Sequence, residues 1–103
     1  MNRLISAACL AALALAAGPA AAQDPNFTRN LAATCAPCHG TNGKAIPGAG
    51  QVPLAGEAQE TIASRLHEFR AGTRPATIMH QIAKGYTDEQ IKQLAAWFAA
   101  QKK

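Results

Sequence analysis

The stretch that most constrains this chain is Cys35-Ala36-Pro37-Cys38-His39. Two thiols at this spacing can add to the two vinyl groups at one edge of a porphyrin, and the histidine that follows can then bind the iron. A C-x-x-C-H run is therefore the attachment signature of a c-type haem. We expect Cys35 and Cys38 to hold one haem covalently and His39 to be an iron ligand, which requires a fold that wraps around the cofactor.

Three other uses of this motif fit the residues less well. A thioredoxin-like C-x-x-C follows a strand in a βαβ unit, whereas residues 26–34 have a helical pattern. A structural zinc site needs four ligands, and although His67 or His80 could join the motif, the chain has no second C-x-x-C or H-x-x-x-H pair. A disulfide between Cys35 and Cys38 would close a loop too small to add much stability.

The first 22 residues have the pattern of a secretory signal peptide. Arg3 supplies the positive charge, and the apolar run from Leu4 to Ala17 is too short to span a bilayer. Ala20-Ala21-Ala22 is a cleavage site of the A-x-A type. We therefore predict a signal peptide at residues 1–22 and one monohaem domain at residues 23–103, exported to the periplasm without a membrane span.

Removal of the signal peptide also removes Cys9 and leaves Cys35 and Cys38 as the cysteines of the mature chain. An exported chain with one C-x-x-C-H run is the context in which haem is attached covalently. The formal net charge of +4 does not indicate nucleic-acid binding, because Lys102-Lys103 is the only tight basic pair and no aromatic residues are interleaved with basic ones.

The first half of the mature chain reads as one helix followed by a long loop. Asp24-Pro25 is an N-cap followed by a proline at the first helical position, and Pro37 and Gly40 are expected to end this helix. Residues 40–56 contain five glycines and two prolines, which excludes a regular element. A loop of this length is unusual in a small domain unless it wraps something, and the histidine side of a haem is a sufficient reason.

The second half reads as three further helices, and no strand pattern occurs anywhere. We predict helices over residues 57–71, ended by Gly72, and over residues 76–84. A capping box at Thr87-Asp88-Glu89-Gln90 begins the last helix. Its predicted inner face consists of Ile91, Leu94, Ala95 and Phe98. The fold class predicted is therefore all-α, with three to four helices around one haem.

Met79 is the candidate for the second iron ligand. It is the only methionine after Met1, and no other soft ligand exists in the mature chain. A thioether opposite an imidazole raises the reduction potential of a haem. His80 is the rival, and because adjacent helical residues point about 100° apart, both side chains cannot face the iron.

With these residues placed, the mature chain resembles the class I cytochromes c. It is most similar to cytochrome c4-type domains and to the cytochrome subunit of flavocytochrome c sulfide dehydrogenase. The stretches that carry this resemblance are Pro53-Leu54-Ala55-Gly56-Glu57, Phe69-Arg70-Ala71-Gly72-Thr73-Arg74-Pro75 and residues 82–91.

The resemblance implies a class I cytochrome c fold with His39 and Met79 as iron ligands. It also implies that a backbone carbonyl near Pro53 accepts a hydrogen bond from the ring of His39. Phe27 and Leu31 would pack against Leu94 and Trp97 where the terminal helices cross, and we expect this crossing to bury all four side chains. The chain has one residue fewer than the usual P-x-L-A-G pattern around Val52-Pro53-Leu54, so the resemblance does not say which carbonyl is used. It also departs in size, since the relatives often carry two haem domains.

The function expected is periplasmic electron transfer, either as a free shuttle or as the haem subunit of a dehydrogenase, and no catalytic residue is assigned. A redox partner is required, and the resemblance alone points to a flavoprotein sulfide dehydrogenase subunit. An oxidase or another sulfur-oxidation enzyme fits the residues equally well. The alternative class is a haem enzyme or sensor with an open iron position, which needs Met79 off the iron and His80 or Tyr86 as acid-base groups. A zinc-binding interaction module is a third.

Overall fold

Five α-helices and no β-strand make up residues 24–103, the part of the chain that the computed structural model describes. The helices are α1 (Phe27–Ala33), α2 (Ala36–His39), α3 (Gln59–Ala71), α4 (Met79–Ala83) and α5 (Asp88–Ala99), with a 3-10 turn at Thr41–Gly43 between α2 and α3. The all-α prediction is confirmed. The predicted signal peptide lies outside the described residues. Within residues 24–103, no helix is both long enough and apolar enough to cross a membrane.

The last helix, α5, supplies most of the hydrophobic core. Its N-terminus is closed by the predicted capping box, in which the Gln90 N–H donates to Thr87 Oγ1 at 3.2 Å and the Thr87 N–H donates to Gln90 Oε1 at 2.9 Å. The four residues predicted for its inner face are all at most 2% exposed: Ile91, Leu94, Ala95 and Phe98. This face packs against α1 and α3, so the helical periodicity located the core correctly.

The first helix, α1, begins later than predicted. The Asp24 carboxylate accepts a hydrogen bond from the Asn26 N–H at 2.9 Å, which forms a turn over Pro25 and Asn26 before the helix starts at Phe27. Phe27 is therefore the first helical residue, one turn before Leu31, and it is 44% exposed. The prediction that the helix crossing buries Phe27 is wrong, whereas Leu31 and Trp97 do pack against the core.

The Cys-x-x-Cys-His stretch has a helix of its own. The chain turns at Thr34, whose hydroxyl donates to the Leu31 carbonyl at 2.7 Å, and α2 then runs to His39. Pro37 lies in the first turn of α2, where its missing N–H would have no helical partner in any case. The prediction that Pro37 ends a helix is therefore wrong. Gly40 does end this segment, in agreement with the sequence.

The middle helices are shorter than their sequence patterns predict. Helix α3 begins at Gln59 and not at residue 57, because the Glu57 N–H donates to the Leu54 carbonyl at 3.2 Å in the preceding turn. It ends, as predicted, at Gly72, which has a left-handed backbone conformation with φ of 75°. Helix α4 spans five residues and lies within the predicted range of 76–84.

Arg70 joins α3 to the segment that leads into α5. Its guanidinium donates to the Tyr86 carbonyl at 3.1 Å and forms an ion pair with Asp88, in the first turn of α5. A third contact joins it to His67 Nδ1 at 3.2 Å. The partly exposed side chain of Arg70 thus fixes the angle at which the chain passes from α4 into α5.

The ion pair of Arg70 and Asp88 predicts an acid-sensitive contribution to stability. The hydrogen bond from Arg70, followed by its charge, holds the pKa of the Asp88 carboxyl below its ordinary value of 3.8. A depressed pKa in the folded state stabilises the protein above the unfolded pKa, and this contribution is lost as the pH falls through the folded pKa. Asp88→Asn should therefore lower the urea midpoint near neutral pH and leave it unchanged once the pH is below the folded-state pKa of Asp88, where the parent carboxyl is protonated.

Glu89→Gln is the matched control for this experiment. Glu89 lies in the same helical turn, and its carboxylate belongs to neither of the ion pairs found within residues 24–103. It reports the interaction with the helix dipole alone. Equal losses of stability in the two variants at neutral pH would show that Arg70 contributes nothing.

Candidate functional site

A large apolar cavity of about 720 Å³ opens into the core between α2, the long loop, α3, α4 and α5. A volume of this size is that of a ligand site, and it exceeds any packing defect of a small domain. Its apolar wall comes from the loop and the three later helices and includes Leu54, Ile62, Leu66, Phe69, Leu94 and Phe98. All four residues predicted to bind the cofactor line this one cavity: Cys35, Cys38, His39 and Met79.

The short helix α2 brings the motif residues to one side. Cys35 is its N-cap, and the His39 N–H donates to the Cys35 carbonyl at 2.9 Å, which closes one α-helical turn. Residues three and four apart share a helix face, so Cys35, Cys38 and His39 present their side chains together. Both thiols are free, with Cys35 half-buried and Cys38 exposed, so the alternative of a disulfide between them is not what the structure contains.

The ring of His39 is held by the long loop. Its Nδ1 lies 2.8 Å from the carbonyl oxygen of Val52. A carbonyl can only accept a hydrogen bond, so Nδ1 carries the proton. In the neutral imidazole this leaves the lone pair on Nε2, which is the atom and the protonation state that a metal requires. The sequence left open which carbonyl near Pro53 is used, and in the structure it is that of Val52.

The position of Val52 depends on two fixed points of the loop. The Gly43 carbonyl, in the 3-10 turn, accepts hydrogen bonds from the Leu54 and Ala55 N–H groups at 2.9 and 3.0 Å. The Gly56 N–H donates to the Phe98 carbonyl at 2.9 Å, near the end of α5. The loop is therefore bound at its start and at its end. The prediction of a loop over residues 40–56 is correct except for this 3-10 turn.

The structure separates Met79 from its rival His80. Met79 is the first residue of α4, is half-buried and lines the cavity. His80 follows it about 100° further round the helix and is not part of the cavity wall. Its Nδ1 is instead buried without a hydrogen-bond partner within residues 24–103.

The interior of the cavity disfavours charge. Burial raises the pKa of the Cys35 thiol and is also the main cause of the raised pKa of the Tyr86 phenol, which lies beside that thiol. Both groups are therefore neutral near neutral pH. In the described part of the chain, no group of three or more His, Cys, Asp or Glu side chains is arranged to hold a metal ion.

Two charged residues of the cavity wall were not predicted from the sequence to belong to the site. Arg65 and Arg74 line the cavity. Arg65 could have been found, because it lies three residues after Ile62 and four before Phe69 and so borders the apolar face of α3. Arg74 follows the end of α3 in an irregular turn, where no periodicity indicates a direction.

Comparison with known proteins gives a consistent result. The model of the family described as Cytochrome c matches residues 28–102. The cytochrome subunit of sulfide dehydrogenase from Chlorobaculum tepidum is 39% identical over 71 residues, which are 66% of this chain and 60% of the relative. The thiosulfate dehydrogenase electron acceptor of Thiomonas intermedia is 34% identical over 96% of this chain and 44% of the relative.

Cytochrome c4 of Pseudomonas aeruginosa is 32% identical over 99% of this chain and 50% of its own length. The chain thus spans about half the length of the curated relatives that it matches.

The packing around α2 predicts that Gly40 tolerates no side chain. A Cβ at Gly40 would lie 1.9 Å from the Lys44 carbonyl oxygen, and its φ of +82° is already unfavourable for other residues. Gly48→Ala is the control, because Gly48 has a similar φ of +78° but open space around it. We expect Gly48→Ala to cost about 1–2 kcal/mol and Gly40→Ala clearly more, measured by urea unfolding. Equal costs would mean that the loop can shift freely beside His39.

Proposed function

This chain belongs to the cytochrome c family, whose members bind haem covalently and transfer electrons, and we propose that its haem is held by Cys35, Cys38, His39 and Met79. The observation that carries this proposal is the hydrogen bond from His39 to the Val52 carbonyl beside the apolar cavity. It supports the assignment because it leaves the Nε2 lone pair available to a metal while two free thiols line the same space.

The surroundings of the cavity also fit a large apolar group. Val52, Ile78 and Ile82 line the cavity, yet they are 55%, 53% and 39% exposed. Exposed apolar side chains gathered around one opening are characteristic of a binding site. A porphyrin would cover part of them and would complete a core that is otherwise open on one side.

Each protein residue has a definite part in this proposal. Cys35 and Cys38 would hold the haem through two thioether bonds, each formed by addition of S–H across a vinyl double bond with no atom lost. His39 would bind the iron through its Nε2 lone pair, and the Val52 carbonyl would fix the orientation of its ring. When bound, haem supplies a one-electron couple between Fe(II) and Fe(III).

Two further features of the chain favour the reduced state of such a couple. The apolar wall, which includes Leu66 and Leu94, excludes water and so disfavours the more highly charged state. The neutral, soft thioether of Met79 has the same effect. We therefore propose a carrier of relatively high potential. A haem enzyme or sensor with an open position is less well supported, because Met79 and not His80 lines the cavity.

The partner that we propose is a periplasmic dehydrogenase acting on a reduced sulfur compound. Relatives are described as a cytochrome subunit of sulfide dehydrogenase and as an electron acceptor of thiosulfate dehydrogenase. The signal-peptide pattern at residues 1–22 supports export. A flavoprotein sulfide dehydrogenase is the first candidate, and an electron shuttle from a thiosulfate-oxidising enzyme is the second.

Mixing experiments test the electron-transfer role. We expect the oxidised, haem-loaded protein to be reduced when it is mixed with a sulfide-oxidising flavoprotein and sulfide, or with a thiosulfate dehydrogenase and thiosulfate, as seen in its absorption bands. Cys35→Ser/Cys38→Ser provides the haem-free control. Reduction no faster than by sulfide or thiosulfate alone would contradict the sulfur-oxidation assignment but not the haem site.

Substitutions at Met79 test the iron ligation. Met79→His should lower the reduction potential, and Met79→Ala should open a position for added ligands such as imidazole. His80→Ala is the control and should change neither property, because His80 does not line the cavity. The near-infrared sulfur-to-iron charge-transfer band of the ferric protein is the readout. If this band survives Met79→Ala, or if His80→Ala abolishes low-spin coordination, Met79 is not the ligand.

A further inference from the structure

Two arginines, Arg65 and Arg74, place permanent positive charges at the rim of the cavity. Apart from His39, the titratable side chains in its wall are two thiols, one phenol, Arg65 and Arg74, so the arginines carry the only fixed charges among the described lining residues. Both are half-buried. They also border a groove on the outer side of α3, together with Glu60, Ser64 and Glu68. The two guanidiniums therefore lie where the apolar interior meets solvent.

We propose that Arg65 and Arg74 bind the two propionate carboxylates of the haem, and that Glu68 weakens the Arg74 contact by competing for the same guanidinium. This inference rests on the haem site proposed above. Haem is apolar except for its iron and two carboxylates, and carboxylates brought against an apolar wall need charged partners. Arginine is suited to this role because its planar guanidinium can bind a carboxylate through two parallel hydrogen bonds.

The contacts of Arg74 leave it able to donate hydrogen bonds to a second carboxylate. Its NH1 donates to Glu68 Oε2 at 3.1 Å, and its guanidinium carbon lies 5.6 Å from the centre of the Phe69 ring. These contacts hold the group in place but use one of its five N–H donors. The hydrogen bond from Arg74, with one from Ser64, lowers the pKa of the Glu68 carboxyl, so Glu68 is ionised near neutral pH and competes for the charge.

The arrangement has a consequence for the reduction potential. A carboxylate near the iron stabilises Fe(III) relative to Fe(II), and an arginine that pairs with the carboxylate cancels part of this effect. Arg65 and Arg74 should therefore raise the potential. Glu68 should lower it, and it should do so mainly through Arg74.

The test uses the haem-loaded protein and the vibrational bands of the propionates, recorded by resonance Raman and by redox-difference infrared spectroscopy. We expect Arg65→Gln and Arg74→Gln each to shift a propionate band and to lower the potential. Arg29→Gln removes one charge from an exposed position on α1 and should shift neither. Arg74→Lys keeps the charge without the planar fork, so it should shift the band with a smaller change in potential. Unshifted bands in both glutamine variants would overturn the proposal.

A double-mutant cycle tests the role of Glu68. Glu68→Gln should raise the potential in the parent protein and have a smaller effect when Arg74→Gln is already present. Equal effects in the two backgrounds would show that Glu68 acts independently of Arg74. Covalent haem content and the low-spin spectrum are measured in every variant. A parent protein without covalent haem would count against the proposed function. Haem-loaded variants with unchanged propionate bands would count only against the arginine assignment.

Discussion

The rest of the site depends on one hydrogen bond, from the His39 ring to the Val52 carbonyl. It joins the four-residue helix α2 to a loop position thirteen residues away, and it decides which ring nitrogen keeps a lone pair. The Val52 carbonyl cannot move independently of the rest of the fold, because the loop is bound to the Gly43 carbonyl at one point and to the Phe98 carbonyl at another. The glycine-rich loop is thus a wall held by backbone hydrogen bonds, which is why it needs no regular element of its own.

This wall and the helices enclose a cavity where a domain of this size would ordinarily have its core. Ile91 and Ala95 are fully buried, but Leu94 and Phe98, on the same face of α5, also border the cavity. A small domain buries too little apolar surface to be stable with a large void, and cofactors commonly supply the missing contacts. The haem that this family binds is therefore a structural part of the fold as well as the redox group, and cofactor attachment and folding are expected to be coupled.

Sequence rules predicted the features that depend on interactions between residues close together in the chain. The capping box at Thr87, the inner face of α5 and the stop at Gly72 were all predicted, because each is decided within a few residues. Phe27 was wrongly placed because an Asx turn at Asp24 delays the helix. The Val52 carbonyl and the direction of Arg74 depend on where distant segments meet, and no spacing in the sequence reports that.

Helix α4 shows how redox function and stability meet in this fold. Five residues are far too few for a helix that is stable alone, and Ala83 is its one residue in the buried core. Its C-terminal side is held by Arg70, through the Tyr86 carbonyl, and the same arginine pairs with Asp88 at the start of α5. Its N-terminal side ends at Met79, whose proposed bond to the iron would be the second anchor. A ligand on so short a helix would stay in place through a change of iron charge because both ends of the helix would be tethered, so Arg70 would support the proposed iron site without lining its cavity.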